Sequence, residues 1–256
     1  MAYVINYHYV SHIGKHRKEN QDNLLCDGQY LDCRNVGTFQ IEQGSQMSSK
    51  APIFGVFDGM GGEECGEMAS YIAAKELSEF VFDKNVKKGF EGFCKHANAM
   101  MCQYIAENNL ISMGTTAAIL KFAKNKVYLC NIGDSKVFQL SDGALKQISY
   151  DHVGVSVFGK KPPLSQNLGI PESELIISPY IATGEYHNGD IYLICSDGLT
   201  DMLPIPNIEK ILCEDKGSVA AEQLLKQALN NGGKDNITFI LIRIEKAKRK
   251  IFNFNR

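Results

Sequence analysis

Apolar residues recur along this chain with two different periods. Residues 3–10, Tyr-Val-Ile-Asn-Tyr-His-Tyr-Val, are rich in β-branched and aromatic types and predict a strand. Residues 11–23 are polar and predict a connection or a solvent-facing edge. Short strands are predicted over 23–27, 30–33 and 36–42, and the composition of 43–50 predicts a flexible loop. Ile53 to Phe57 alternate large and small apolar side chains and run into Asp58-Gly59-Met60-Gly61-Gly62. That pattern predicts a buried strand closed by a glycine turn, with one carboxylate at its tip. Helical spacing follows: Met68, Ala69, Ile72, Ala73, Leu77, Phe80 and Val81 predict a helix over 64–82. Val86, Phe90, Phe93, Ala97, Met101, Tyr104 and Ile105 predict a second over 86–108.

The period then returns to two. Residues 113–120, 127–132, 136–140 and 144–148 read as strands joined by Asn- and Gly-containing turns, hence antiparallel hairpins. Residues 150–174 lack a period and are punctuated by Gly and Pro, and so long an irregular stretch in a domain is often functional. Strands are predicted over 175–183 and 190–195, helices over 206–213 and 218–230, and a last strand over 237–244. Two groups of helices between blocks of strands predict an α+β domain with antiparallel sheets. One domain is expected over 1–245, followed by a basic tail over 246–256.

Composition narrows the class. A hydrophobic content of 44% with 22% charged residues is that of a globular domain. A net charge of −2 gives no reason to expect nucleic acid as the main partner. No apolar run approaches the roughly 20 residues of a membrane span, and the N-terminus lacks a signal-peptide pattern. None of the eight cysteines forms a Cys-x-x-Cys pair, and several sit inside apolar runs, so reduced buried thiols in a cytoplasmic protein are expected.

Four aspartates share one kind of place. Asp58, Asp134, Asp197 and Asp235 each stand at a turn bordering an apolar strand, with glycine close by. Turn aspartates are common, and each by itself reads equally as an Asp-Gly turn. If the strands lie side by side, however, the four tips can converge, and carboxylates packed together need cations to neutralise them. An all-oxygen set without His or Cys suits Mg²⁺ or Mn²⁺. Two such ions about 3.5–4 Å apart can activate a water for attack on phosphorus, and an arginine can hold the phosphate by paired hydrogen bonds.

Six motifs in order resemble those of the metal-dependent Ser/Thr protein phosphatases of type 2C, the PPM family, especially its compact bacterial members. They are Gly14-x-x-Arg17-x-x-Asn20-Gln21-Asp22, Val56-Phe57-Asp58-Gly59-Met60-Gly61-Gly62, Gly114-Thr115-Thr116, Asn131-Ile132-Gly133-Asp134-Ser135, Ser196-Asp197-Gly198-Leu199 and Asp235-Asn236-Ile237-Thr238. The resemblance covers roughly residues 8–244. It implies a four-layer α-β-β-α sandwich, two central antiparallel sheets flanked by helices. It implies hydrolysis of phosphoserine and phosphothreonine in proteins by direct attack of a metal-bridging water, in signalling opposite a cognate Ser/Thr kinase.

By position, the resemblance implies that Asp58 bridges two metals and the Gly59 carbonyl ligates one of them. Asp197 and Asp235 complete the pair, and Asp134 with Asp197 holds a third ion. Arg17 binds substrate phosphate, Asp22 holds metal-bound waters, and Thr115 and Ser135 are structural supports. Two rival readings stand beside this one: a weak or inactive pseudophosphatase that binds or senses, and a hydrolase of small phosphoesters.

Two departures from the family pattern bear on chemistry. Many members carry histidine where this chain has Met60, and methionine transfers no protons. Proton delivery then falls to a metal-bound water, or to Glu19 or His152. The stretch 150–174 lies where the family has its flap, and here it is short and rich in Pro and Gly. His8, His12, His16, His96 and His187 stand outside the family's catalytic positions and read as surface or packing residues.

Overall fold

The computed structural model describes residues 2–38, 40–60, 65–156 and 162–247. The chain opens with β1 (Tyr3–His12), β2 (Asp22–Cys26), β3 (Gln29–Tyr30), β4 (Glu42–Met47) and β5 (Ile53–Met60). Two helices follow, α1 (Gly66–Glu79) and α2 (Val86–Glu107). Then come β6 (Gly114–Thr115), β7 (Ala117–Ala123), β8 (Lys126–Ile132), β9 (Lys136–Ser141), β10 (Ala144–Gln147), β11 (Tyr180–Glu185) and β12 (Ile191–Cys195). The single turn α3 (Asp197–Thr200), the helices α4 (Ile205–Glu214) and α5 (Ser218–Asn230), and β13 (Ile237–Lys246) complete it.

The strands form two antiparallel sheets. One has the order β10-β9-β12-β13-β1-β4; the other is β11-β8-β7-β5-β2-β3, with β6 paired to the end of β5. Alternation decides which side chains meet. Tyr3, Ile5 and Tyr7 of β1 and Ile240, Ile242 and Ile244 of β13 point between the sheets, onto Phe54, Val56, Leu120 and Phe122. The opposite faces are covered by helices: α1 and α2 pack on Ile119, Cys130 and Ile132 of the second sheet. On the first sheet, α4 and α5 pack on Leu193, Phe239 and Leu241. Because both faces of β12 and β13 are covered, these strands read as nearly unbroken apolar runs. The expected α-β-β-α layering is what forms.

Phe122 stands at the centre of the middle layer with no solvent exposure. It makes edge-on contacts with Phe54, Tyr186 and Tyr192 at centroid distances of 6.0, 5.4 and 5.6 Å. Phe122→Ala should cost about 3–5 kcal/mol of unfolding free energy in a denaturant titration. A loss under about 1 kcal/mol would mean the two sheets repack to fill the gap.

The strand and helix expectations hold within a few residues at most ends, with three informative exceptions. The strand expected over 36–42 does not form: among the described residues only Gly37 bridges, to His12, its φ of 93° breaks the extended run, and β4 starts at Glu42. Residues 43–50, expected as a flexible loop, supply β4 and a short 3-10 turn at Ser48–Lys50. The strand lies at a sheet edge and pairs with β1 over Tyr9↔Glu42 to Val4↔Met47, so backbone pairing holds it without buried apolar side chains. Gly44 sits beneath Tyr7, where an added Cβ would lie 2.3 Å from the phenol oxygen. That leaves room for the Tyr7 hydroxyl to donate to Asp27 Oδ2 at 2.7 Å. The predicted strand over 175–183 instead begins at Tyr180.

All eight cysteines are free, and Cys26, Cys94, Cys130 and Cys195 are buried. Among the described residues no helix is long and apolar enough to cross a membrane. The expected basic tail lies outside the described residues beyond Ala247.

Candidate metal and phosphate site

A cleft of 520 Å³ opens at one end of the two sheets, lined by Asp58, Asp134, Asp197 and Asp235 together with Arg17, Gln21, Gly59, Met60, Asn236 and Pro162 to Leu164. The four aspartates predicted from their turns are thus brought together, each from a different strand end.

Asp58 lies near the end of the strand β5, two residues before Met60. Its own backbone is fixed from the side: its N–H donates to Thr116 Oγ1 at 3.1 Å, and its carbonyl accepts from the Thr116 N–H at 2.9 Å and Thr115 Oγ1 at 3.0 Å. Thr116 Oγ1 also lies 2.6 Å from Ser135 Oγ, which ties β5 to the turn between β8 and β9 that carries Asp134. Thr115 and Ser135 therefore act as supports, as expected. Thr116, the hub of this network, carried no role in the sequence reading; its hydroxyl is indistinguishable from its neighbour's without the fold.

Asp197 and Asp235 follow from the pairing of β12 with β13. Cys195 pairs with Phe239, and the Ser196 N–H reaches the Thr238 carbonyl at 2.9 Å, so the chain past β12 meets the chain before β13. Gly198 makes that approach possible: an added Cβ would lie 1.8 Å from the Asn236 carbonyl oxygen.

Arg17 is carried by a loop pinned to the same place. Asn236 donates through Nδ2 to the Ile13 and Glu19 carbonyls at 2.9 and 3.0 Å and accepts the Gln21 N–H at 2.9 Å. Gly14, at φ 83°, presses on the Asp235 carbonyl, where a Cβ would lie at 2.2 Å. Arg17 Nη2 then donates to Asp235 Oδ2 at 2.6 Å. Half of the Arg17 side chain remains open to solvent.

Asp22 stands behind the cleft rather than on its wall. It faces Asp58 across the β2–β5 pair, is 1% exposed, and accepts from Ser196 Oγ at 2.8 Å. Burial pushes its carboxyl up to about 6, with hydrogen bonds from Ser196 and Thr238 and the Arg17 charge opposing and the Asp235 charge adding.

Among the described lining residues there are four carboxylates and one guanidinium, and no His or Cys. This donor set fits a hard divalent cation. Among the described residues no group of three or more His, Cys, Asp or Glu stands close enough together to hold a metal ion by itself. Mg²⁺ and Mn²⁺ keep several waters and take one or two carboxylates each. Gly59 lies where its backbone can approach closely, since a Cβ there would come within 2.1 Å of the Gly66 carbonyl.

Neither protein candidate for a proton donor lines the cleft. His152 is buried at 8% exposure, and Glu19 is exposed with its carbonyl held by Asn236. His8, His12, His16, His96 and His187 also lie off the cleft wall.

Residues 11–157 match the family described as Protein phosphatase 2C. Serine/threonine protein phosphatase PstP of Mycobacterium tuberculosis is 32% identical over 206 residues, covering 75% of this chain and 40% of that protein. The chain thus aligns with less than half the length of that relative. Serine/threonine phosphatase stp of Listeria welshimeri is 29% identical over 211 residues, covering 75% of this chain and 84% of that one. The crystal structure of the M. tuberculosis serine/threonine phosphatase PstP/Ppp superposes with a TM-score of 0.77 at 25% identity, covering 95% of this chain and 100% of that one. The catalytic domain of PstP in complex with two manganese ions gives 0.75 at 26% identity, with the same coverage.

Proposed function

Because this chain belongs to the protein phosphatase 2C family, we propose that it is a Mg²⁺- or Mn²⁺-dependent phosphatase acting on phosphoserine and phosphothreonine in proteins. The observation that carries this is the delivery of four aspartates and one arginine to a single cleft by separate strand ends. The PstP and stp relatives are named as serine/threonine phosphatases, and a fold neighbour was crystallised with two manganese ions. The natural substrates are phosphoproteins of a cognate Ser/Thr kinase, and eight free cysteines accord with a reducing, cytoplasmic setting.

In this reading Asp58, the Gly59 carbonyl, Asp197 and Asp235 hold two ions, Asp134 with Asp197 holds a third, and Asp22 orders waters from behind. Bound there, the ions supply water activation and charge neutralisation for direct attack on phosphorus. The chain's own part is orientation and charge. Arg17 presents paired donors to the phosphoryl oxygens, and its exposed half lets it leave Asp235 to do so. Met60 can shield the site and move no proton, so the leaving oxygen takes its proton from water. General acid help is worth about 10²–10⁴-fold, and a slower chemical step than in histidine-bearing relatives is expected.

The test is hydrolysis of a phosphothreonine peptide and of p-nitrophenyl phosphate, with Mn²⁺ and with chelator. Both substrates should turn over with Mn²⁺ and neither with chelator. Silence under every metal condition would leave a binding module; turnover of the aryl ester alone would make it a small-phosphoester hydrolase.

A further inference from the structure

The irregular segment between β10 and β11 touches the cleft through Pro162, Pro163 and Leu164. Its root lies at Tyr150 to His152, and one side chain outside the cleft ties that root down. Lys136, two residues after Asp134, forms an ion pair with the Asp151 carboxylate. The same Nζ lies 3.4 Å from the Asp134 carbonyl. The other Asp151 oxygen accepts from Gln147 Nε2 at 2.7 Å. The pair is sheltered, with side-chain exposures of 18% and 28%, so water screens it less than an ordinary surface pair.

The backbone around the pair repeats the connection. The His152 N–H donates to the Gly133 carbonyl at 3.0 Å, and the Tyr150 N–H to Asn131 Oδ1 at 3.2 Å. Asn131 Nδ2 in turn holds the Ser135 carbonyl at 2.9 Å. From His152 the contacts run on to the cleft wall. Its carbonyl accepts from the Ser165 N–H at 2.9 Å, Val153 bridges to Leu164, and the Gly154 N–H donates to the Pro163 carbonyl at 2.8 Å. A continuous set of bonds therefore joins the Asp134 turn to Pro163 and Leu164, and Lys136–Asp151 is its charged member.

We propose that Lys136 and Asp151 are positioning residues that clamp the root of this segment to the Asp134 turn and so fix where Pro162 to Leu164 stand beside the cleft. The inference rests on the reading above that the cleft receives a phosphorylated protein segment. A peptide long enough to extend past the cleft rim meets that wall, whereas a small aryl phosphate is held by the aspartate–arginine end alone. Losing the clamp therefore weakens the large substrate selectively.

Two kinds of measurement on the full chain with Mn²⁺ test this. Lys136→Met should speed amide hydrogen exchange at His152 and Ser165 roughly tenfold, as expected for a lost charge-assisted hydrogen bond. Exchange in β12 and β13 should stay unchanged, and Lys136→Arg should restore the wild-type rates. In steady state, Lys136→Met and Asp151→Asn should raise KM for a phosphothreonine peptide by roughly five- to tenfold with kcat within about twofold. KM for p-nitrophenyl phosphate should not move. Unchanged exchange at His152 and Ser165 overturns the clamp. So does an equal loss of turnover on both substrates with exchange rising across both sheets, which marks a merely structural role. A wild-type protein that hydrolyses neither substrate refutes the phosphatase reading instead, while the exchange result still decides the clamp.

Discussion

Asp58→Asn is expected to lower kcat/KM for a phosphothreonine peptide by roughly 10³-fold or more at saturating Mn²⁺, because several kcal/mol of charge stabilisation and water activation depend on a held ion. The substitution is nearly isosteric and removes only the negative charge. The bonds to Thr115 and Thr116 involve the backbone of residue 58 and survive the substitution. The fold should therefore stand, and relief of repulsion among the four carboxylates should leave the metal-free Tm equal or higher. A separate readout comes from linkage. Mn²⁺ at about 100 times its Kd stabilises a one-site protein by roughly 2.7 kcal/mol, so wild type should show a Mn²⁺-dependent rise in Tm that the variant largely loses. A variant within tenfold of wild-type activity would remove Asp58 from the metal site.

Gly198→Ala should be almost as damaging for a different reason. The added methyl carbon would lie 1.8 Å from the Asn236 carbonyl and 3.3 Å from Asp235 Cβ, and the nearer atom is backbone that cannot rotate away. Relief requires α3 to move off the start of β13, which separates Asp197 from Asp235. A displacement near 1 Å at a reacting centre can cost about 10²-fold in rate, and overpacking typically adds about 1–3 kcal/mol of destabilisation. Parallel measurement of activity and thermal unfolding checks both. Wild-type activity in this variant would show that the two aspartates need not be held at this spacing.

Much of the architecture was legible because the relevant forces are local and periodic. The stripes of 64–82 and 86–108 became α1 and α2 on the outside of a sheet, since a one-sided apolar helix has to be covered. The aspartates could be singled out because each borders an apolar run with glycine close by, a pattern that sets a carboxylate near a strand tip. Two kinds of feature were illegible. The polar strand β4 depends on pairing with β1, a contact across about 40 residues of sequence that carries no apolar signature. The roles of the supporting polar residues were also hidden: Thr116, Ser196 and Asn236 matter for the groups they reach far along the chain, the Asp58 backbone and Ser135, the Asp22 carboxylate, and the Ile13 and Glu19 carbonyls.

By itself, the sequence determined that this is an α+β domain of antiparallel strands, with an all-oxygen set of acidic tips and one basic motif near its start. Those follow from residue type, period and neighbour. The tertiary structure decided what the tips do together. The β12–β13 register and the bare Cα of Gly198 bring Asp197 and Asp235 to the same cleft. The Gly14 contact and the Asn236 bonds bring Arg17 to the same place. Asp22, grouped by motif with the others, is held off the cleft wall opposite Asp58 in the same sheet, where burial works against its charge. Convergence is a property of long-range register and close approach, and neither leaves a periodic trace in the chain.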